Sequence, residues 1–420
     1  MFERAYRQRL ESDLAAWQRD GIVPPTVGDS IRARLGPIPQ GVNIPTVVAI
    51  LGALLIAAAF LTFVAANWEE IPRAARFTLL LAGIAVSYAL ATWFDRTGRS
   101  YLADVCVTVG SIVFGAAIAL TGQMYHLGGD FAAGVLLWAG GALLAAALTG
   151  SRGALAVALS VGCFWSAMRM EALREPHFPF LIFWFVAAAL AAMWNSAPAR
   201  HLAALAALAW WIMVGVHYVS IFNFDPLGVI AGGGALMFGA GLVMANVGNE
   251  SLRRFGATFS SYGVLAFVVI VAFTIVGIIE ASRQHMPSWV LACGIAGILC
   301  AAAAAIVGRS VGAAVAVIAV IIGIALEAGA LGSIRPRDQP WLAYALVLIA
   351  MLSLVISGML DDIRPRVVAG WIGLATALAA ITWAIEGSLI ARALFLALAG
   401  AVAVALAVGL GRFKFKERVA

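Results

Sequence analysis

The residues best suited to chemistry in this 420-residue chain crowd into one decapeptide, TGQMYHLGGD, at 121–130. Gln123, Tyr125, His126 and Asp130 bring hydrogen-bond donors, acceptors and an imidazole together within a few positions. Histidine changes charge close to neutral pH, so His126 is a candidate for sensing or moving protons. Three readings of the stretch stay open. It can form a polar site at the mouth of a cavity. It can be a helix cap, its side chains satisfying the backbone groups that a helix end leaves bare. It can hold a metal through His126 and Asp130, although two ligands alone are poor support for that. Gly128 and Gly129 are expected to allow a tight turn before the next element.

A second candidate is a lone acid. Glu327 interrupts the apolar run AVAVIAVIIGIALEAGALG. A carboxylate within a bilayer costs at least about 2.5 kcal/mol on insertion scales unless it is neutralised or paired. Glu327 is therefore read either as a proton-binding group or as an acid partnered by Arg335 or Arg337. Other polar residues read more plainly. Arg169 and Glu171 flank a short apolar run and are expected to pair. Glu69 and Glu70 sit in a loop too short for catalytic machinery. The cysteines 106, 163, 293 and 300 lie in apolar runs with no CxxC spacing, so no metal or disulfide is expected of them. No GxSxG, HExxH, phosphate-loop lysine or dinucleotide fingerprint occurs, so no cofactor and no catalytic residue is assigned.

What must position these groups follows from composition. Hydrophobic residues make up 63% of the chain and charged ones 11%. Soluble domains run near 45–50% and 25%. That excludes a soluble globular enzyme and a disordered chain, and it implies an all-α, polytopic membrane helix bundle. Fourteen apolar runs are long enough to be read as spans: 45–66, 76–94, 102–122, 131–149, 153–169, 178–194, 202–221, 226–246, 257–279, 288–307, 310–332, 341–360, 367–385 and 389–410. The fifth is short and contains Cys163, Phe164 and Trp165. With the N-terminus placed in the cytoplasm, nineteen of the 27 Lys and Arg fall on the inner side. This asymmetry fits both termini inside. Scattered loop charge of this kind is not a nucleic-acid footprint.

Ahead of the spans, residues 1–44 read as a small cytosolic helical hairpin. Phe2, Tyr6, Leu10, Leu14 and Trp17 share one face of its first helix; Val27, Ile31 and Leu35 share one side of its second. The polar start predicts no cleavable signal peptide, leaving the first span as the insertion signal. Residues 411–420 form a basic cytosolic tail. The first and eighth spans share a weak Gly-Ala-Leu to Ala-Asn pattern, consistent with a seven-plus-seven inverted repeat.

ANWEEIPRAAR after the first span, GQMYHLGGD ending the third and the pattern from Trp17 to Ile22 resemble one bacterial family of predicted membrane proteins, domain of unknown function 2157. The resemblance covers about residues 10–150. It implies an inner-membrane protein and marks Asn67, Trp68, Gln123, Tyr125, His126 and Asp130 as motif positions. It implies no activity and no cofactor.

The leading functional expectation is a secondary carrier or lipid translocator for an unknown small molecule or lipid. Glu327 would be its protonatable group, and Gln123, Tyr125, His126 and Asp130 its outer pathway. The alternative is a non-catalytic assembly or regulatory subunit that docks a membrane partner through residues 1–40. A third reading is a membrane-embedded enzyme acting on a lipid.

Overall fold

Apolar runs bounded by caps become helices almost wherever the sequence provides both. The computed structural model describes residues 10, 13–35, 52, 55, 62, 72–126, 128–194, 196–222, 226–276, 286–327 and 340–384. Among the described residues there are fourteen helices and no strand. They are α1 (13–19), α2 (Pro25–Leu35), α3 (Arg73–Arg96), α4 (Ser100–Met124), α5 (Phe131–Thr149), α6 (Arg152–Leu173), α7 (Pro179–Met193), α8 (Ala197–Phe222), α9 (Pro226–Val247), α10 (Glu250–Val276), α11 (Ser288–Val307), α12 (Val311–Glu327), α13 (Pro340–Leu360) and α14 (Arg364–Ala384).

Among the described residues eight of these helices are both long and apolar enough to cross a membrane, and α7, α12 and most of α13 are shorter apolar helices. The first and last expected spans, 45–66 and 389–410, lie almost wholly outside the described residues. The inverted repeat rests on the same first span. The short fifth run proves to be a full helix of 22 residues, because Ser151 caps its start and Arg174 closes its end in a left-handed turn at φ 57°. Helix α10 starts at Glu250, well before the apolar run at 257. The Asn249 side chain accepts the Leu252 N–H at 3.0 Å, which starts the helix before hydropathy would.

Two compact units emerge, Met1–His126 and Leu127–Ala420. In the first, α1 and α2 approach closely enough that a side chain on Gly28 would collide with Gln18. Leu14 is fully buried, while Trp17, Ile22 and Val27 are exposed. Trp17 and Val27 thus stand outside the hairpin's buried contact. Helices α3 and α4 pack together, with Gly110 against Tyr88.

In the second unit α9 is central, with 72% of its apolar stretch buried. It contacts α8, α10, α11 and α12. Glycine explains how one helix serves so many neighbours. Gly232 and Gly239 meet the α11 backbone, whereas Gly241 meets the α10 backbone from another face. Small residues let helices approach to backbone contact in lipid, where the hydrophobic effect no longer drives helices together. Phe238, Phe267, Ala316 and Met351 belong to the core shared by α9, α10, α12 and α13.

Candidate functional site

Asp130 is the motif residue whose role the fold defines best. It is the N-cap of α5, its carboxylate accepting the Ala132 N–H at 3.0 Å. The same carboxylate forms an ion pair with Arg169 near the end of α6. Arg169 therefore pairs across helices with Asp130, and the expected local pairing with Glu171 gives way. The residue directly before α5 and one 39 positions later meet because α5 and α6 pack as antiparallel neighbours joined by the tight Gly150 turn.

Beyond Arg169 the chain leaves α6 through Arg174 and enters α7 at Pro179. The intervening loop buries His177, which is only 5% exposed. Its ring stands edge-to-face with Trp165, with centroids 4.4 Å apart. Its neighbour Phe178 packs against Trp289 and Trp210, and Trp211 stacks on Trp289. Within the described residues neither His177 Nδ1 nor Trp165 Nε1 has a hydrogen-bond partner. Burial, and secondarily the positive charge of Arg169, push the His177 pKa below its ordinary 6.5. The result is a neutral imidazole in an aromatic nest beside a solvated ion pair. The burial of His177 and the nearby Arg169 charge both oppose protonation in the folded chain.

This shift has a testable sign. The folded chain resists protonating His177, whereas the unfolded chain takes up a proton at about pH 6.5. Stability is therefore expected to fall as pH drops through about 6.5 and to level off below the folded value. His177→Phe keeps the ring and removes the titration. Melting of the purified protein from about pH 8 to about pH 5 should decline more steeply for wild type than for this variant. Parallel declines would exclude His177 as the cause.

The other expected site residues are placed differently. Gln123, Tyr125 and His126 belong to the first unit, and all three are exposed. They terminate α4: Tyr125 donates its N–H to Thr121 O at 3.1 Å, and His126 donates its own to Gln123 O at 3.3 Å. The left-handed residue of this turn is His126, at φ 49°, and neither Gly128 nor Gly129 has a positive φ. Histidine is one of the few residue types that tolerate that region. Glu327 is the last described residue of α12, and its side chain lies outside the description. Asn67, Trp68, Arg335 and Arg337 lie outside the described residues.

The cap and ion pair of Asp130 can be separated. Asp130→Ala should cost about 1 kcal/mol, mostly through the lost cap. Asp130→Asn keeps a capping acceptor and should cost about 0.5 kcal/mol or less, the worth of a solvated pair. Equal losses in thermal melts would show that the pair, not the cap, matters.

Sequence reading passed over His177, Arg366 and Asp361. His177 had a faint signal in REPHFPF, a histidine held between two prolines and aromatic neighbours. Arg366 reads as an ordinary loop charge, yet it is 2% exposed and bonded to Asp361.

Residues 15–155 match a known family. Its description is "Predicted membrane protein (DUF2157)". The matched part includes the motif from Gln123 to Asp130 and the start of α6, and it stops short of Arg169 and His177. It agrees with the resemblance read from the N-terminal motifs. No curated protein and no solved structure matches the chain.

Proposed function

We propose that this chain is a bacterial inner-membrane carrier that moves a small molecule or lipid in exchange for, or together with, protons. The observation that carries this reading is His177: a buried, neutral imidazole beside the Asp130–Arg169 pair, at the end of an apolar helix bundle. Ionisable groups held in or at the edge of such bundles mark proton and substrate routes more often than they serve stability. In this reading Asp130 and Glu327 are the protonatable acids, and Gln123, Tyr125 and His126, exposed at the end of α4, are further polar candidates. About fourteen spans with both termini in the cytoplasm complete the proposal, supported by the distribution of Arg and Lys.

The test begins with detergent-purified protein melted against a panel of phospholipids, sugars, amino acids and organic acids. A binding compound raises the melting temperature by mass action. Proteoliposomes holding a trapped pH dye then report whether that compound drives proton entry. Proton entry that His177→Phe abolishes supports the carrier. If a compound binds but moves no protons, the proton coupling fails. If nothing binds, the carrier reading fails.

The second reading, a non-catalytic assembly or regulatory subunit, draws on one observation. The N-terminal hairpin leaves Trp17, Ile22 and Val27 exposed. Co-purification of one stoichiometric partner, lost on deleting residues 1–40, would favour it.

A further inference from the structure

We propose that Arg366 and Asp361 form a charge-held latch that keeps the joined ends of α12, α13 and α14 closed. Arg366 lies near the start of α14 and is 2% exposed. Its Nη1 donates to Asp361 Oδ2 at 2.9 Å and to Ser357 Oγ of α13 at 3.1 Å. Its guanidinium lies over the Phe238 ring of α9, 5.5 Å from the centroid. Asp361, just past α13, also accepts from the Ser310 hydroxyl at 2.8 Å. Ser310 in turn caps α12, taking the Ala313 N–H at 2.8 Å. One carboxylate thus ties three helix ends to a single buried cation.

Three features make this a latch and not a strut. A buried ion pair adds little net stability over apolar residues of the same size, so its value lies in specifying or switching a state. Both turns that present the partners pass through left-handed residues other than glycine, Arg309 at φ 48° and Asp362 at φ 55°. That conformation is sparsely populated by residues with side chains, for Arg309 more than for Asp362. Phe238 also lines a narrow cavity between α9, α10, α12 and α13, walled by Phe267, Gly323, Leu326 and Met351. The ring beneath the guanidinium therefore adjoins space into which packing can shift. Asp361, with 17% of its side chain exposed, is the reachable end of the pair, and Arg366 is the sealed one.

The latch predicts local opening when its charge is removed. Ser353 lies one turn deeper on the face of α13 that carries Ser357, and it is 6% exposed. A Ser353→Cys reporter in a background with the four native cysteines replaced should react slowly with a small maleimide in membranes. Ser166→Cys, at a position with no exposure on α6, reports global loosening in the same background. With Asp361→Asn, labelling at 353 is expected to accelerate by about tenfold or more, with 166 still protected. Labelling at neither position overturns the latch. If both react, Asp361→Asn has loosened the whole bundle, and the double variant Arg366→Met with Asp361→Leu decides instead. That variant removes the charge pair without stranding either ion. A rise at 353 alone supports the latch, and any other result overturns it.

Discussion

Gly239→Ala is expected to destabilise the protein by about 3 kcal/mol or more, a large effect for one methyl group. A Cβ at 239 would lie 2.0 Å from the Gly297 carbonyl oxygen and 2.8 Å from its carbon. The helices are equally close one turn away: a Cβ at 297 would lie 2.3 Å from the Ala235 oxygen. These obstacles are backbone atoms, so no rotamer change relieves them. Helices α9 and α11 would have to part along their shared length, forfeiting many small dispersion contacts. The informative control is Gly140→Ala. Gly140 is interior to α5 with nothing within 4 Å of its added Cβ. There alanine should be neutral or stabilising by about 0.5–1 kcal/mol through helix propensity. Melting of both variants in mild detergent separates the cases, and equal melting temperatures would refute the backbone contact.

This contrast also shows where the sequence is legible. Gly140 and Gly239 both sit in glycine-rich apolar runs, and neither spacing nor composition separates them. Only the neighbouring helix does. Segments governed by local chemistry read well. The ranges 131–149 and 288–307 coincide with α5 and α11, because apolarity and end signals are both written within the helix. Asp130 likewise lies where a cap should be, directly before its helix. Hydropathy alone places the start of α10 too late because it ignores the polar first turns, where Asn249 caps the helix and Glu250 pairs with Arg254.

Properties that depend on distant residues did not read. Asp130 meets Arg169 through packing of α5 on α6, and the nearer Glu171 offered a misleading partner. His177 looked like a loop residue because its burial comes from Trp165 and the aromatic cluster beyond it. His126 was the more conspicuous histidine, yet it is exposed and occupies the left-handed turn that the adjacent glycines were expected to make. A titratable residue in a distinctive motif and one in a distinctive environment are separate things here, and only the motif is visible in one dimension.

The Arg366–Asp361 pair gives the second large effect, and its two halves should behave unequally. Asp361→Ala strands a guanidinium that is 2% exposed, leaving Ser357 Oγ and the Phe238 face as its remaining contacts. An uncompensated buried charge of this kind costs about 3–5 kcal/mol. Arg366→Met strands a carboxylate that keeps 17% exposure and the Ser310 hydroxyl. Water can reach it, so its cost should be smaller, about 1–3 kcal/mol. The double variant Arg366→Met with Asp361→Leu removes both charges and fills the space with apolar atoms. It should lose less than Asp361→Ala alone, because no ion is left to desolvate. Unfolding of the double variant and of its two singles, Arg366→Met and Asp361→Leu, in mild detergent yields the coupling between the residues as a departure from additivity. Additive losses would mean that the two side chains stabilise the helix ends independently, and the pair would then have no claim to act as one unit. A double variant close to wild type would show instead that the bundle does not need this charge to stand, which is the condition under which a buried pair is free to serve as a switch.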